Sequence, residues 1–263
     1  MDAATAQRLV ALNKEFYQTH AEAFSATRGR LQPGTVRVLR TLFGLPSDSD
    51  GENSVRGRML ENAFATLRVL DLGCGNGGVA AQLAASRHRG SYVGVDFSEG
   101  LLQAARQRLA AHAGYPVEFI QADLSGDWTA GLDGQFDVAL AMAVLHHIPG
   151  RELRLAFLQR VRALLGTGGR FVHSNWQFMR SPKLAARVQP WSAIQLDEAQ
   201  LDKGDYLLDW RSGGTGLRYV HQFSEDELAE LAAEAGFDVG EVFYSDGSTG
   251  DLSLYSSWQV HQR

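Results

Sequence analysis

An intramolecular disulfide is excluded at once, because the 263 residues include a single cysteine, Cys74. One thiol also cannot build a cysteine metal cluster. Its setting between two glycines, with no base adjacent in sequence, reads as a small buried thiol and not a nucleophile. No run approaches the roughly 18 apolar residues that a membrane span needs. The N-terminus lacks the charged-then-apolar design of a signal peptide, so a soluble, cytoplasmic chain with no membrane partner is expected. Basic residues are outnumbered, 25 against 30 acidic, for a net charge of −5. Broad, unspecific nucleic-acid binding needs a basic face, which this balance disfavours, although it leaves room for a local patch. Internal repeats and low-complexity runs are absent too. What is plentiful is apolar: 44% of the residues are hydrophobic, enough for the core of one large α/β domain.

The stretch 67–78, LRVLDLGCGNGG, organises the chain. Residues 67–72 form a short apolar run, read as a buried strand. Glycines follow directly, and 79–87 then looks helical, with Val79 and Leu83 four apart among alanines. Strand, tight glycine turn and helix N-terminus together make a ligand cradle, since glycine lets a ligand approach the backbone and the helix end offers free N–H groups. Gly73-x-Gly75-x-x-Gly78 fits the dinucleotide fingerprint. Asp71, Gly73, Gly75 and Gly77 equally fit the D-x-G-x-G-x-G turn that holds S-adenosylmethionine (SAM). Asp71 at the strand end favours SAM, because a carboxylate repels a pyrophosphate and attracts the ammonium of the methionine moiety.

The rest of the chain alternates strands and helices. Residues 3–20 form an amphipathic helix marked by Leu9, Leu12 and Phe16. A short helix follows over 35–43, and 46–58 is polar and turn-rich, a flexible loop. Residues 1–66 thus make a helical extension and a candidate lid. Strand two is 92–96. Its terminal Asp96, 23 residues past Gly73, can accept both hydroxyls of an adenosine ribose. Ser98 caps the next helix, to about residue 113. Strand three, 117–120, leads to Asp123, placed to accept from an adenine amino group. Trp128 is near enough to pack there, though a lone tryptophan more often joins the core. Strand four, 136–141, runs into His146-His147, at the sheet edge where ligands bind in open α/β folds. Adjacent histidines diverge and have no third ligand in view, so no metal site is assigned. A helix over 151–165, a turn at 166–169 and strand five at 170–175 complete the repeating units.

The ending is informative. Ser224-x-x-Glu227 reads as a capping box before a helix closed by Gly236. Strands at 239–244 and 254–261 have no helix between them and should pair antiparallel. Five βα units finished by a hairpin read as a mainly parallel sheet that ends in an antiparallel pair. Residues 176–223 are inserted above its carboxyl edge. Their Trp176, Trp191, Arg218, Tyr219 and His221 can stack a ring and hold an anion.

On Asp71–Gly77, Val93–Asp96, Ala122–Leu124 and Leu145–Ile148, residues 67–263 resemble the class I SAM-dependent methyltransferases, which implies a Rossmann-like α/β fold: a mainly parallel seven-stranded sheet of order 3-2-1-4-5-7-6, its last hairpin antiparallel, with helices on both faces. Phe16-Tyr17, Phe24–Arg28, Pro190-Trp191, Gly204–Trp210 and Arg218–Phe223 further resemble the tRNA wobble-uridine carboxymethyl methyltransferases. That family esterifies a 5-carboxymethyl group and, in eukaryotes, works with a small zinc-binding partner. The chain departs from it at Val220 and Asp209 and in its acidic balance. The resemblance implies cofactor contacts from Tyr17, Arg28, Asp71, Gly73, Cys74, Gly75, Asn76, Gly77, Asp96, Phe97, Asp123, Leu124, Ala141 and His146. It implies a substrate side formed by Trp176, Trp191, Arg218, Tyr219 and His221. A carboxylate acceptor is already ionised at neutral pH and needs only orientation, by Arg28, Arg218 or His221. A hydroxyl or amine acceptor needs a base, His146 or His147. Transfer to tRNA is the leading expectation, and a small-molecule O- or N-methyltransferase the alternative. A fold that binds SAM without catalysis is the rival.

Overall fold

The computed structural model describes residues 1–26, 29–44, 66–86, 88–211 and 214–261. Arg28 and the 46–58 loop lie outside them. Helix α1 (Ala3–Thr19) starts on Asp2, whose side chain accepts from Thr5 N at 2.7 Å. Helices α2 (Ala21–Ala26) and α3 (Pro33–Phe43) follow, and α3 opens with proline at its first position. The apolar runs then form β1 (Val69–Leu72), β2 (Tyr92–Asp96), β3 (Val117–Gln121), β4 (Phe136–Met142) and β5 (Leu165–Trp176). Between them lie α4 (Gly78–Ala85), α5 (Glu99–Leu109) and α6 (Arg151–Leu164). The insertion contributes α7 (Pro182–Ala185), β6 (Val188–Gln189), β7 (Asp205–Trp210) and β8 (Gly216–His221). Helix α8 (Glu225–Ala235), β9 (Phe237–Ser245) and β10 (Ser253–Val260) close the chain.

The main sheet has the order β3-β2-β1-β4-β5-β10-β9. Its first five strands are parallel, and β10 runs antiparallel to both β5 and β9. This is the expected order with the last hairpin as strands six and seven. Every residue of β1 and β2 is buried, because helices cover both faces. Val38, Leu39 and Leu42 of α3, Val79 and Leu83 of α4, and Leu102 and Leu109 of α5 pack on one face. Phe157, Leu158 and Val161 of α6, with Leu228, Leu231 and Ala232 of α8, pack on the other. Among the described residues no helix is long and apolar enough to cross a membrane.

Three local expectations are corrected, and one open choice is settled. The turn at 166–169 is looped out within β5: Leu165 already pairs with Phe136, and pairing resumes at Arg170 with Val138. The helix after Ser98 ends at Leu109 and tightens into a 3-10 turn over Ala110–His112. Trp128, for which the core was the commoner expectation, is 1% exposed and packs there against Phe157. The capping box is half made. Ser224 Oγ accepts from Glu227 N at 3.1 Å, but the Glu227 carboxylate turns to His221 instead of the cap backbone.

The insertion folds as a separate antiparallel sheet, β6-β7-β8. Strand alternation sorts its side chains. Leu207 and Tyr219 face α1 and pack with Leu9, Trp191 and Leu196. Leu208 and Val220 face Phe178. The small sheet therefore sits between the N-terminal helix and the carboxyl edge of the large one.

Candidate functional site

A cavity of about 520 Å³ opens over the carboxyl ends of β1, β2 and β4. Beside the loops after β2, β3, β4 and β5 and the start of α3, four parts of the chain build its walls. The glycine turn supplies Asp71, Gly73, Cys74, Gly75 and Asn76; α1 supplies Val10, Asn13, Lys14 and Tyr17. The insertion supplies Leu184, Arg187, Trp210 and Arg218, and the last hairpin supplies Asp246, Leu252, Ser253 and Tyr255. Antiparallel pairing of β10 with β5 puts that hairpin's tip at the carboxyl edge.

The cradle end suits an adenosyl amino acid. At Gly73 (φ +71°) a Cβ would lie 2.4 Å from Val144 Cγ2, so only glycine lets the turn pack on the β4 loop. At Gly75 (φ +55°) a Cβ would meet nothing within 4 Å, and the backbone is open to close approach from the cavity. Asp71 is 2% exposed and accepts a hydrogen bond from Tyr92 Oη on one oxygen. Burial pushes its carboxyl up to about 7, so a cationic ligand group stabilises the ionised form. Asp96 accepts from Gly75 N at 3.0 Å and Ser98 N at 2.9 Å, which locks its carboxylate at the cavity edge. Burial raises its pKa against those hydrogen bonds. Asp123 is already engaged: Ser125 N and Oγ donate to one oxygen, and Lys14 of α1 pairs with the other. Burial opposes its ionisation, but those partners outweigh it and hold the pKa low. An adenine amino group would share Asp123 with Lys14. Burial drives the Cys74 thiol well above its usual range, so it stays a protonated, unreactive wall.

The opposite end is aromatic and cationic. The Arg218 guanidinium is 5% exposed and lies 4.8 Å from the Trp176 ring centroid, 5.3 Å from Trp210 and 5.4 Å from Phe16. Among the described residues, its Nε has no hydrogen-bond partner and no carboxylate pairs with it. His147 sits on the cavity wall with Nε2 2.7 Å from Tyr17 Oη and Nδ1 3.2 Å from the Tyr219 carbonyl. The carbonyl can only accept, so in the neutral ring Nδ1 carries the proton and Nε2 accepts from Tyr17. His146 is 1% exposed, and its Nδ1 accepts from Trp176 N at 3.3 Å.

A methyltransferase domain model matches residues 70–171, the span from β1 into β5. The ubiquinone biosynthesis O-methyltransferase of Aromatoleum aromaticum is 37% identical over 180 residues, 68% of this chain and 67% of that protein. The chain belongs to the class I SAM-dependent methyltransferases. A protein of Encephalitozoon cuniculi described as a methyltransferase is 29% identical over 246 residues, 92% of this chain and 91% of its own length. The alignment spans 62% of the length of several other ubiquinone biosynthesis O-methyltransferases. The solved 1,6-didemethyltoxoflavin-N1-methyltransferase of Burkholderia thailandensis, with S-adenosylhomocysteine bound, shares the fold. Its TM-score is 0.64 at 21% identity, covering 100% of this chain and 92% of that one. The cofactor is SAM, and the dinucleotide reading of the glycines falls. The buried carboxylate of Asp71, in β1 just before the turn, is the physical reason.

Of the residues that the methyltransferase resemblance implies for the cofactor, Tyr17, Asp71, Gly73, Cys74, Gly75, Asn76, Asp96, Phe97, Asp123, Leu124 and His146 line the cavity. Gly77 and Ala141 do not: Gly77 packs against Ala105, and Ala141 is fully buried in the sheet. On the acceptor side, Trp176 and Arg218 reach the cavity and three residues do not. Trp191 is buried against Leu9, Leu196, Leu207 and Tyr219. Tyr219 and His221 point away from it by strand alternation, into a buried charge cluster. There Arg154 donates to Tyr219 Oη at 2.7 Å, Tyr219 Oη donates to Asp205 at 2.7 Å, and His221 lies 2.6 Å from Asp205 and 3.0 Å from Glu227. Asn13, Lys14, Ser174, Asp246 and Tyr255 also line the cavity and were not singled out from sequence. Asn13 left a signal, a polar residue on the apolar stripe of α1. The hairpin residues left another, since the expected antiparallel ending already puts their tip at the ligand edge.

Proposed function

We propose that this methyltransferase O-methylates a small-molecule acid on its carboxylate. The observation that carries the reading is Arg218: a buried guanidinium, caged by three aromatic rings, with no carboxylate among the described residues to neutralise it. Burying such a charge is costly unless a ligand anion pairs with it. Bound SAM supplies an activated methyl group. Arg218 holds the acceptor carboxylate by charge-assisted hydrogen bonds, with Trp176 and Trp210 flanking the organic body. Carboxylate oxygen forms the new O–CH₃ bond, and because the acceptor is already ionised, no proton has to leave and no general base is required. The chain's task is alignment and exclusion of water. In this reading 176–223 is the acceptor-side insertion on the domain 67–263, and the 1–66 extension contributes a fixed wall through α1. The similar ubiquinone biosynthesis O-methyltransferases support the small-molecule part of this reading.

A second reading keeps the chemistry and changes the carrier to a carboxymethylated wobble uridine in tRNA. It is favoured by one observation: the segments that resemble that family, Gly204–Trp210 and Arg218–Phe223, pair as β7 and β8 and present Arg218 to the cavity. It brings with it the expectation of a small activating partner. Both readings are tested through Arg218→Gln. It is expected to raise the acceptor KM and lower kcat/KM about 100-fold, near the worth of a charged hydrogen-bond pair. SAM affinity should stay within about twofold. Unchanged acceptor kinetics would remove the carboxylate from the proposal.

A further inference from the structure

One side chain outside every motif ties the acceptor wall together. Asn13 of α1 is 7% exposed. Its Nδ2 donates to the carbonyls of His147 at 3.2 Å and Tyr219 at 3.1 Å, and its Oδ1 accepts from Tyr219 N at 2.8 Å. Both amide hydrogens are therefore used. The Tyr219 carbonyl also receives His147 Nδ1 at 3.2 Å. A single amide thus joins three pieces far apart in sequence: the N-terminal helix, the turn after β4 that carries His146 and His147, and strand β8.

We propose that Asn13 is the positioning residue of the acceptor site, setting Arg218 and His147 in register with each other. Tyr219 is the neighbour of Arg218 in β8. With Tyr219 held by both its N–H and its carbonyl, the strand cannot slide, and the alternate side chain, Arg218, is fixed on the cavity face. The hydrogen bond from His147 to the same carbonyl fixes that ring's tautomer. The chemistry at position 13 is demanding. A carboxylate would face two carbonyl oxygens, and an isosteric leucine would leave the buried Tyr219 N–H unpaired. The inference rests on the carboxylate reading only where Arg218 meets the acceptor; the tautomer of His147 does not depend on it.

The test uses the full chain with two readouts. One is the ¹⁵N spectrum of histidine-labelled protein, with His147 assigned through His147→Gln. Wild type should show a protonated Nδ1 and an unprotonated Nε2 at His147, and Asn13→Asp near pH 8 should lose that pattern. The other is turnover of phenylacetate, an aryl acid probe, in a double-mutant cycle. Asn13→Asp is expected to lower kcat/KM about tenfold, mostly through KM, the size of one or two lost buried hydrogen bonds, with SAM affinity within about twofold. Combined with Arg218→Gln it should lose little more than Arg218→Gln alone, because both act at one point. Multiplying losses, or a wild-type His147 spectrum in Asn13→Asp with only a lower melting temperature, would overturn the proposal and leave Asn13 a packing residue. If Asn13→Asp does not fold, Asn13→Ser, with one donor and one acceptor, takes its place under the same criteria. If wild type does not methylate phenylacetate, the carboxylate reading has failed on this probe, and the His147 spectrum alone decides the role of Asn13.

Discussion

Asp71 shows how one carboxyl serves binding at the expense of stability. Its folded pKa of about 7 lies above the ordinary value near 3.9. Below pH 4 both states hold the proton and the group is neutral for folding. Between about 4 and 7 only the folded state holds it, so stability falls as pH rises, and above 7 the penalty is constant. The ligand-free wild type is expected to lose on the order of 3–4 kcal/mol across that window. Asp71→Asn should flatten the profile and melt higher than wild type at pH 8, as read by thermal denaturation. The ligand effect has the opposite sign. A bound ammonium requires ionised Asp71, so SAM affinity should climb through pH 7 until the ligand's own amine deprotonates near 8. Titration calorimetry from pH 6 to 8 checks this, and Asp71→Asn should lose the dependence with most of the affinity. Asp71 was legible in sequence because a strand-end acid before a glycine turn has few structural reasons to exist. Arg218 was legible as an anion holder only by its company of aromatics. Its solitude was not, since which carboxylates it avoids depends on strand alternation within the insertion.

At the scale of elements, the joint between the two sheets is electrostatic. Arg154 of α6, Asp205 of β7, His221 of β8 and Glu227 of α8 meet where three of the four side chains are fully buried. Burial resists ionisation of Asp205, yet His221, Tyr219 and Arg154 outweigh it and hold its pKa low. That stabilisation is present above the ordinary carboxylate pKa and is lost as pH falls through the lowered one. Removing one member strands the others: Arg154→Ala should cost roughly 3–5 kcal/mol in chemical denaturation, whereas Arg154→Met paired with Asp205→Leu should cost much less. Sequence spacing suggested a capping box at Ser224 and Glu227. Glu227 goes to His221 because a buried imidazole bonded to an acid on its other nitrogen offers a stronger partner than an exposed cap N–H. Local pattern could not see a residue 73 positions from Arg154 as its neighbour. By contrast, the strands were legible, since the central runs β1 and β2 are buried throughout and the helix-free ending forces a hairpin, while their order came with the methyltransferase resemblance.

On the scale of the whole molecule, a large sheet carries the cofactor cradle, a small sheet carries the acceptor cage, and α1 closes the wall between them. The strands of the large sheet were legible from their apolar runs, and its order from the resemblance. The small sheet was not legible, because its two faces pack on α1 and on Phe178, both distant in the chain. Leu9, fully buried at that contact, should cost about 2–5 kcal/mol when cut to alanine, measured by denaturation. The most direct test of the central claim is transfer of labelled methyl from SAM into two pools, an organic-acid extract and total tRNA, by wild type and by Arg218→Gln. Label released by mild alkali, formed by wild type and nearly absent with Arg218→Gln, is the predicted result, and the pool that holds it names the acceptor. Label that is stable to alkali and indifferent to Arg218 would contradict the account: the enzyme would then methylate a hydroxyl or amine, with His147 the group to examine as its base.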